Sequence, residues 1–210
     1  MKKIVFITVL SSIIYGNIFS QTGRKLNESE KQIFEQKMME QSKKIKTLQC
    51  AFVQEKTSTL LSEKAVAKGI LLYQSPSMLR WEYTEPTPST LILNENNATL
   101  LDQNNKNVGN EAMLKQLGGI IISMINGNGI AKNKQFSAEF YETGTQMLVI
   151  LIPIQKRLKD FYNTIELKID LTTMLANEII LNEKTGDKTV ILLKNKILNS
   201  EIPKNKFEIK

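Results

Sequence analysis

The sequence predicts a mainly β domain of the α+β class, with about ten or eleven antiparallel strands and two helices. Short runs of alternating apolar and polar residues recur along most of the chain, separated by turns rich in Gly, Pro, Asn and Asp. Helical spacing is confined to two stretches, one between 27 and 47 and one between 111 and 125. Sequential antiparallel strands in this number curl strongly and leave a concave inner side.

The chain of 210 residues suits one medium-sized domain, able to bury roughly two-thirds of its unfolded surface. Lys2 and Lys3 precede an apolar run from Ile4 to Ile14, and small polar residues lead to Ser20 and Gln21. That run is shorter than the about 20 apolar residues a membrane span needs. We read 1–20 as a cleavable signal peptide, with an uncleaved anchor as the alternative, and 21–210 as a single domain. The chain shows no internal repeat or low-complexity tract.

Composition narrows the function classes. Cys50 is the only cysteine, so no internal disulfide can form, and its strand context predicts a buried, inert thiol. The chain contains no histidine, which removes the usual general base and metal ligand. No catalytic residues, metal or cofactor are expected, and the protein is not expected to be an enzyme. The formal charge of +7 includes Lys2 and Lys3 of the leader. A modest excess of this kind would favour an anionic partner or membrane surface. The lysines are scattered rather than blocked, the pattern of a solvated face, which argues against nucleic-acid binding.

Asn27 followed by Glu30 predicts a helix N-cap with its capping-box partner, opening a helix that runs to about Thr47. Ile33, Phe34, Met38, Ile45 and Leu48 fall near one side. The first strand covers 48–57, with Leu48, Cys50, Phe52 and Gln54 on one face. Strands 69–73 and 78–84 form a hairpin around Pro76, in which Leu79, Trp81 and Tyr83 alternate with Arg80, Glu82 and Thr84. A second hairpin, 90–93 with 98–101, turns at Asn96 and Asn97.

Residues 111–125 make a short helix that is greasy nearly all round, weakened at Gly118 and Gly119 and ended by 126–129. It is either a central core helix or a lid. Strands follow at 136–142, 147–152, 162–170, 176–182 and 189–198, with a basic loop at Lys156, Arg157 and Lys159. A last edge segment is expected at 206–210, where Lys would discourage further pairing.

The hairpin carries more than a fold signal. Gly69, Leu71, Pro76, Leu79 and Trp81 match in order and spacing the signature of LolA-type periplasmic outer-membrane lipoprotein carriers, which this chain resembles. Phe52-Val53-Gln54 sits where that family has a Phe-x-Gln motif after its first helix. The resemblance implies an unclosed antiparallel half-barrel with a helical lid. It also implies a carrier or chaperone that takes lipoproteins from an inner-membrane ABC lipoprotein-release complex. Such a carrier shields their acyl chains across the periplasm and passes them to an outer-membrane acceptor if one is present, acting as a monomer.

Leu79 aligns with a family position associated with the cavity and with transfer. The expected acyl-chain cavity is lined by Phe52, Leu71, Leu79 and Trp81, and covered by Ile121, Met124 and Ile125. Ser75 departs from the family, whose members often have a lid-latching Arg there. A lipid- or envelope-stress-sensing interaction domain on the same half-barrel is the alternative. An envelope enzyme would need a polar cluster such as Glu55, Lys68 and Glu82 inside the slot.

Overall fold

Residues that alternate along each strand fall into line across the sheet. The computed structural model describes residues 23–60, 63–94, 97–109, 111–125, 130 and 134–208. The expected leader at 1–20, Asn96 of the second hairpin's turn and the 126–129 turn lie outside these. Among the described residues, eleven strands form one antiparallel, unclosed sheet. They are β1 (Arg24–Lys25), β2 (Thr47–Thr57), β3 (Ala65–Gln74), β4 (Met78–Glu85), β5 (Ser89–Asn94), β6 (Asn97–Leu101), β7 (Phe136–Thr143), β8 (Gln146–Pro153), β9 (Tyr162–Asp170), β10 (Ala176–Glu183) and β11 (Lys188–Leu198). Two meanders, β2 to β6 and β7 to β11, join through a central β11–β2 pair. The sheet's edges are β1, beside β7, and β6.

Directly opposed residues of an antiparallel pair share a face. Phe140, Val149, Leu167, Ile179, Ile191 and Gln54 are successive partners across six strands. Cys50, Leu71, Trp81, Leu91 and Leu100 continue the same side across the other meander. The result is one continuous face, apolar except at Gln54, and its buried hydrophobic side chains form a single cluster. A satellite on the opposite side holds Leu72, Ile202 and Phe207 with Met78 against them.

Helix α1 (Glu28–Ser42) starts as expected. The Asn27 side chain accepts from the Glu30 N–H, and the Glu30 carboxylate accepts from the Asn27 N–H, both at 2.9 Å. The helix ends earlier than predicted, because β2 begins at Thr47 and its pairing takes precedence over helix propensity. Phe34 and Met38 are buried, while Ile33 is 53% exposed. Phe34 meets Phe140 edge-on at 5.7 Å, so α1 covers the β7 side of the sheet.

Three expectations are corrected at the ends and in a loop. The stretch just ahead of Asn27, where no strand is predicted, contributes β1, whose Arg24 pairs with Glu30 and Glu142 and Lys25 with Glu139. The C-terminal segment is a 3-10 turn, Lys204–Phe207, rather than an edge strand. Phe207 is completely buried against Leu72, and Asn94 donates to its carbonyl at 3.1 Å, so the chain docks on the sheet's outer face instead of its edge. The basic loop holds one helical turn, Lys156–Lys159, that buries Leu158.

Gly69 is required by close approach. It pairs with Phe52 on one side and Tyr83 on the other, and a Cβ there would collide with the Glu82 carbonyl oxygen and the Phe52 ring. Gly69→Ala should therefore destabilise the protein by about 1–3 kcal/mol, the range for overpacking, read as a lower midpoint in urea unfolding. Cys50 is buried, and burial pushes its thiol up to about 11 from an ordinary value of 9.0. Its contribution to stability is fully present below pH 9 and is lost as pH rises through about 11. A thiol reagent at about pH 8, below the ordinary thiol range, should label Cys50 only after denaturant is added.

Candidate functional site

The apolar face needs a cover, and the topology supplies one. Strand β6 lies at one edge and β7 near the other, so the connection between them must traverse the sheet. Helix α2 (Glu111–Ile125) is in that connection and packs on β5 and β6. It keeps the range its sequence predicts. Gly118 is packed against the Leu93 side chain, which a Cβ would strike, whereas Gly119 faces open space. One glycine is therefore a close-packing residue, and the other only lowers helix propensity.

Beyond β5 and β6 the cover is incomplete. A cavity of about 270 Å³ is lined by Gln54, Trp81, Tyr83, Leu91, Leu100, Ile120, Ile121, Tyr162, Ile165, Ile179, Leu181 and Ile191. A smaller one of about 30 Å³ is lined by Leu48, Leu71, Ile121, Ile125, Leu175, Ala176, Ile179, Leu193 and Lys196. Ile121 of α2 and Ile179 of β10 border both, so the two are compartments of one apolar slot between helix and sheet.

The larger compartment has one polar wall. Tyr83 donates its hydroxyl to Gln54 Oε1 at 2.9 Å. Burial raises the Tyr83 pKa, with the neighbouring Trp81 indole and Gln54 amide pulling it back. Burial and the charge of Glu183 raise the Tyr162 phenol. The Trp81 indole packs at a tilt on Phe52, with ring centroids 4.5 Å apart, and Phe52 meets Tyr83 edge-on at 5.1 Å. The indole Nε1 is buried and lies beside the Tyr83 hydroxyl, whose oxygen can accept from it.

Of the residues expected at the site, the structure brings Trp81, Ile121, Leu71 and Ile125 onto the slot's walls. Phe52 and Leu79 stand behind the wall, 1% and 0% exposed, and are not among the residues lining either compartment. Their inward direction is as expected, but Phe52 is covered by Trp81 and Tyr83. The side chain of Met124 lies outside the described residues. Ser75 holds its turn by donating its backbone N–H to the Lys46 carbonyl at 2.8 Å.

Lys196 escaped the sequence reading. Register jumps between Lys194, opposite Ala51, and Ile197, opposite Gln49, which leaves two residues facing Cys50. Asn195 takes a positive φ of 53°, and the bulge puts Lys196 on the slot's wall. Lys196 donates to Asn177, and burial lowers its pKa. Strict alternation along β11 cannot reveal this; the Asn between two Lys residues was the available signal.

The remaining groups define the chemistry. Glu55, Lys68 and Glu82 do not line the slot; their partners are Lys64, Glu85 and Arg80. Among the described residues no group of three or more His, Cys, Asp or Glu could hold a metal ion, and no helix is long and apolar enough to cross a membrane. The arrangement can bury hydrocarbon.

An open antiparallel half-barrel with a helix crossing its apolar concavity is the class of protein that the structure defines. The chain belongs to the LolA family, described as outer membrane lipoprotein carrier protein LolA, whose profile matches residues 43–210. A comparison with curated proteins finds no match. Among solved structures, an uncharacterized conserved protein from Thermus thermophilus is similar at 11% identity and a TM-score of 0.51, covering 86% of this chain and 93% of that one. A LolA superfamily protein from Nitrosomonas europaea is similar at 10% identity and a TM-score of 0.45, with 83% and 97% covered. The lipoprotein LppX of Mycobacterium tuberculosis gives 8% identity and a TM-score of 0.47, with 84% and 99% covered.

The two glycines of α2 should respond in opposite directions. Gly119→Ala should stabilise by about 0.5–1 kcal/mol, because helix propensity rises and nothing is struck. Gly118→Ala should destabilise, because it drives the helix off Leu93. Thermal midpoints of the two variants check this.

Proposed function

We propose that this protein is a non-enzymatic carrier of the periplasm that shields the acyl chains of lipoproteins in the slot beneath α2 and moves them from the inner to the outer membrane. It would load from an inner-membrane ABC lipoprotein-release complex and unload to an outer-membrane acceptor where one exists. The observation that carries the reading is the apolar cavity left between helix and sheet, in a chain of the LolA family.

Magnitudes support it. Each methylene taken from water contributes about 0.8 kcal/mol, so a long chain offsets much of an association cost of about 4–15 kcal/mol. The compartment of about 270 Å³ lies near the lower end of the about 300–1,000 Å³ typical of ligand pockets. One chain can start to enter as the slot stands, and a larger cargo requires α2 to lift. Lifting is feasible because α2 packs on β5 and β6, while its other flank faces the cavity. Release is helped by the same looseness, since aliphatic walls adapt to a chain without fixing its position.

Ile121 is the discriminating position. It is half-buried and borders both compartments, so a charge there meets the ligand before it meets the core. Leu79, with no exposure, would carry a charge straight into the core and unfold the protein. Delipidated protein should bind an environment-sensitive fatty-acid probe, and Ile121→Glu should weaken that binding at least roughly tenfold, about 1.4 kcal/mol. Wild-type protein that leaves the probe in water overturns the proposal. A stable protein partner without exchangeable lipid would point instead to a sensing domain.

A further inference from the structure

The connection between β8 and β9 carries residues that the slot does not use. Its single helical turn, Lys156–Lys159, is pinned by the buried Leu158, and Lys156, Arg157 and Lys159 stand exposed around that anchor. Ile154 before the turn is 50% exposed, and Phe161 after it is 55% exposed. A single apolar side chain in water is ordinary, but two that bracket a basic turn have the composition of an interfacial anchor. The neighbouring turn extends the patch. Lys184 donates its backbone N–H to the Phe161 carbonyl at 2.9 Å, which ties the β10–β11 turn to this connection. Thr59 in turn donates its N–H to Asp187 of that turn, which brings Leu60, 91% exposed, to the same end of the sheet. Of the acidic groups there, Glu183 and Asp187 are both taken by Lys56, at 2.9 and 3.4 Å, and Asp160 leaves the connection net positive. Among the described residues Lys156, Arg157, Lys159 and Lys184 enter no ion pair.

We propose that this end of the sheet docks on an anionic bilayer surface, with Ile154, Phe161 and Leu60 entering the headgroup region while Lys156, Arg157 and Lys159 meet lipid phosphates. Charge complementarity selects the occupant, because unpaired cations beside apolar tips gain from both layers of such a surface. The tips come from separate connections, which suits a fluid surface that needs no matching contour. Position gives the docking a use. Phe161 is followed by Tyr162, the first residue of β9, which lines the larger compartment, and the two rings are 6.5 Å apart. Docking therefore sets the end of the slot that Tyr162 reaches against the membrane. The docking rests on the rim's own residues, and the carrier reading supplies only its purpose, the passage of acyl chains between bilayer and slot.

Vesicles of equal parts phosphatidylglycerol and phosphatidylcholine should carry the purified protein down on sedimentation. Vesicles of phosphatidylcholine alone should bind it at least roughly tenfold more weakly, and added salt should release it from the anionic ones. Ile154→Ser combined with Phe161→Ser should weaken anionic-vesicle binding roughly tenfold. Lys156→Gln, Arg157→Gln and Lys159→Gln together should weaken it at least as much. All the proteins compared share the leader, so these differences belong to the rim. An environment-sensitive dye on Phe161→Cys marks one site, because Cys50 is buried. Its emission should shift to the blue with anionic vesicles, while the same dye on Thr172→Cys, exposed beyond the far end of β9, should not respond. Wild-type protein that stays in solution, binding that the serine and glutamine variants leave unchanged, equal binding to neutral vesicles, or a silent dye at 161 overturns the proposal. Each leaves the carrier reading intact if the fatty-acid probe still binds. Vesicle docking without probe binding overturns the carrier reading alone.

Discussion

An open sheet with one largely apolar face must hide that face, and the rest of this structure depends on how it does so. A closed barrel would cover itself by curling until its edges met. Here β1 and β6 remain separate edges, so cover comes from outside the sheet. Helix α1 covers the β7 side through Phe34, and α2 lies on β5 and β6 as part of the connection that traverses the sheet. Neither fully covers the ground between them. The slot is therefore a consequence of topology: a wide sheet is shared by two helices that do not fill it.

The slot's wall is braced from behind. Gly69 has no side chain, so the Phe52 ring can lie over the β3 backbone. Phe52 then supports Trp81 by a tilted ring contact and Tyr83 by an edge contact. Leu79 and Tyr73 are opposed on neighbouring strands and wholly buried. Of the five residues by which the hairpin resembles its family, Leu71 and Trp81 face the slot, while Gly69 and Leu79 fix where those two stand.

Much of this could be read from sequence, because strand alternation has a period of two and survives without tertiary help. The β7 to β11 meander and the α2 boundaries follow from local pattern and turn chemistry, as does the Asn27 capping box. What escaped depends on distant partners. Arg24 and Lys25 become a strand only because Glu142 and Glu139 wait on β7. Phe207 leaves the strand pattern because Leu72 offers it a seat on the outer face. Lys196 reaches the slot through a bulge that no alternation rule predicts. Phe52 and Leu79 point inward as expected, but facing the concavity is not the same as lining what remains empty, and only packing decides between them.

The central β11–β2 pair has a consequence for how the chain acquires its shape. β2 comes first among the long strands and β11 last, yet they are hydrogen-bonded neighbours at the middle of the sheet. During synthesis the leading meander waits with an exposed flank until the final strand emerges, and such long-range closure is intrinsically slow. In that interval the flank of β2 is a sticky edge, open to any passing strand. A period of vulnerability that ends only with the last strand is thus written into its strand order.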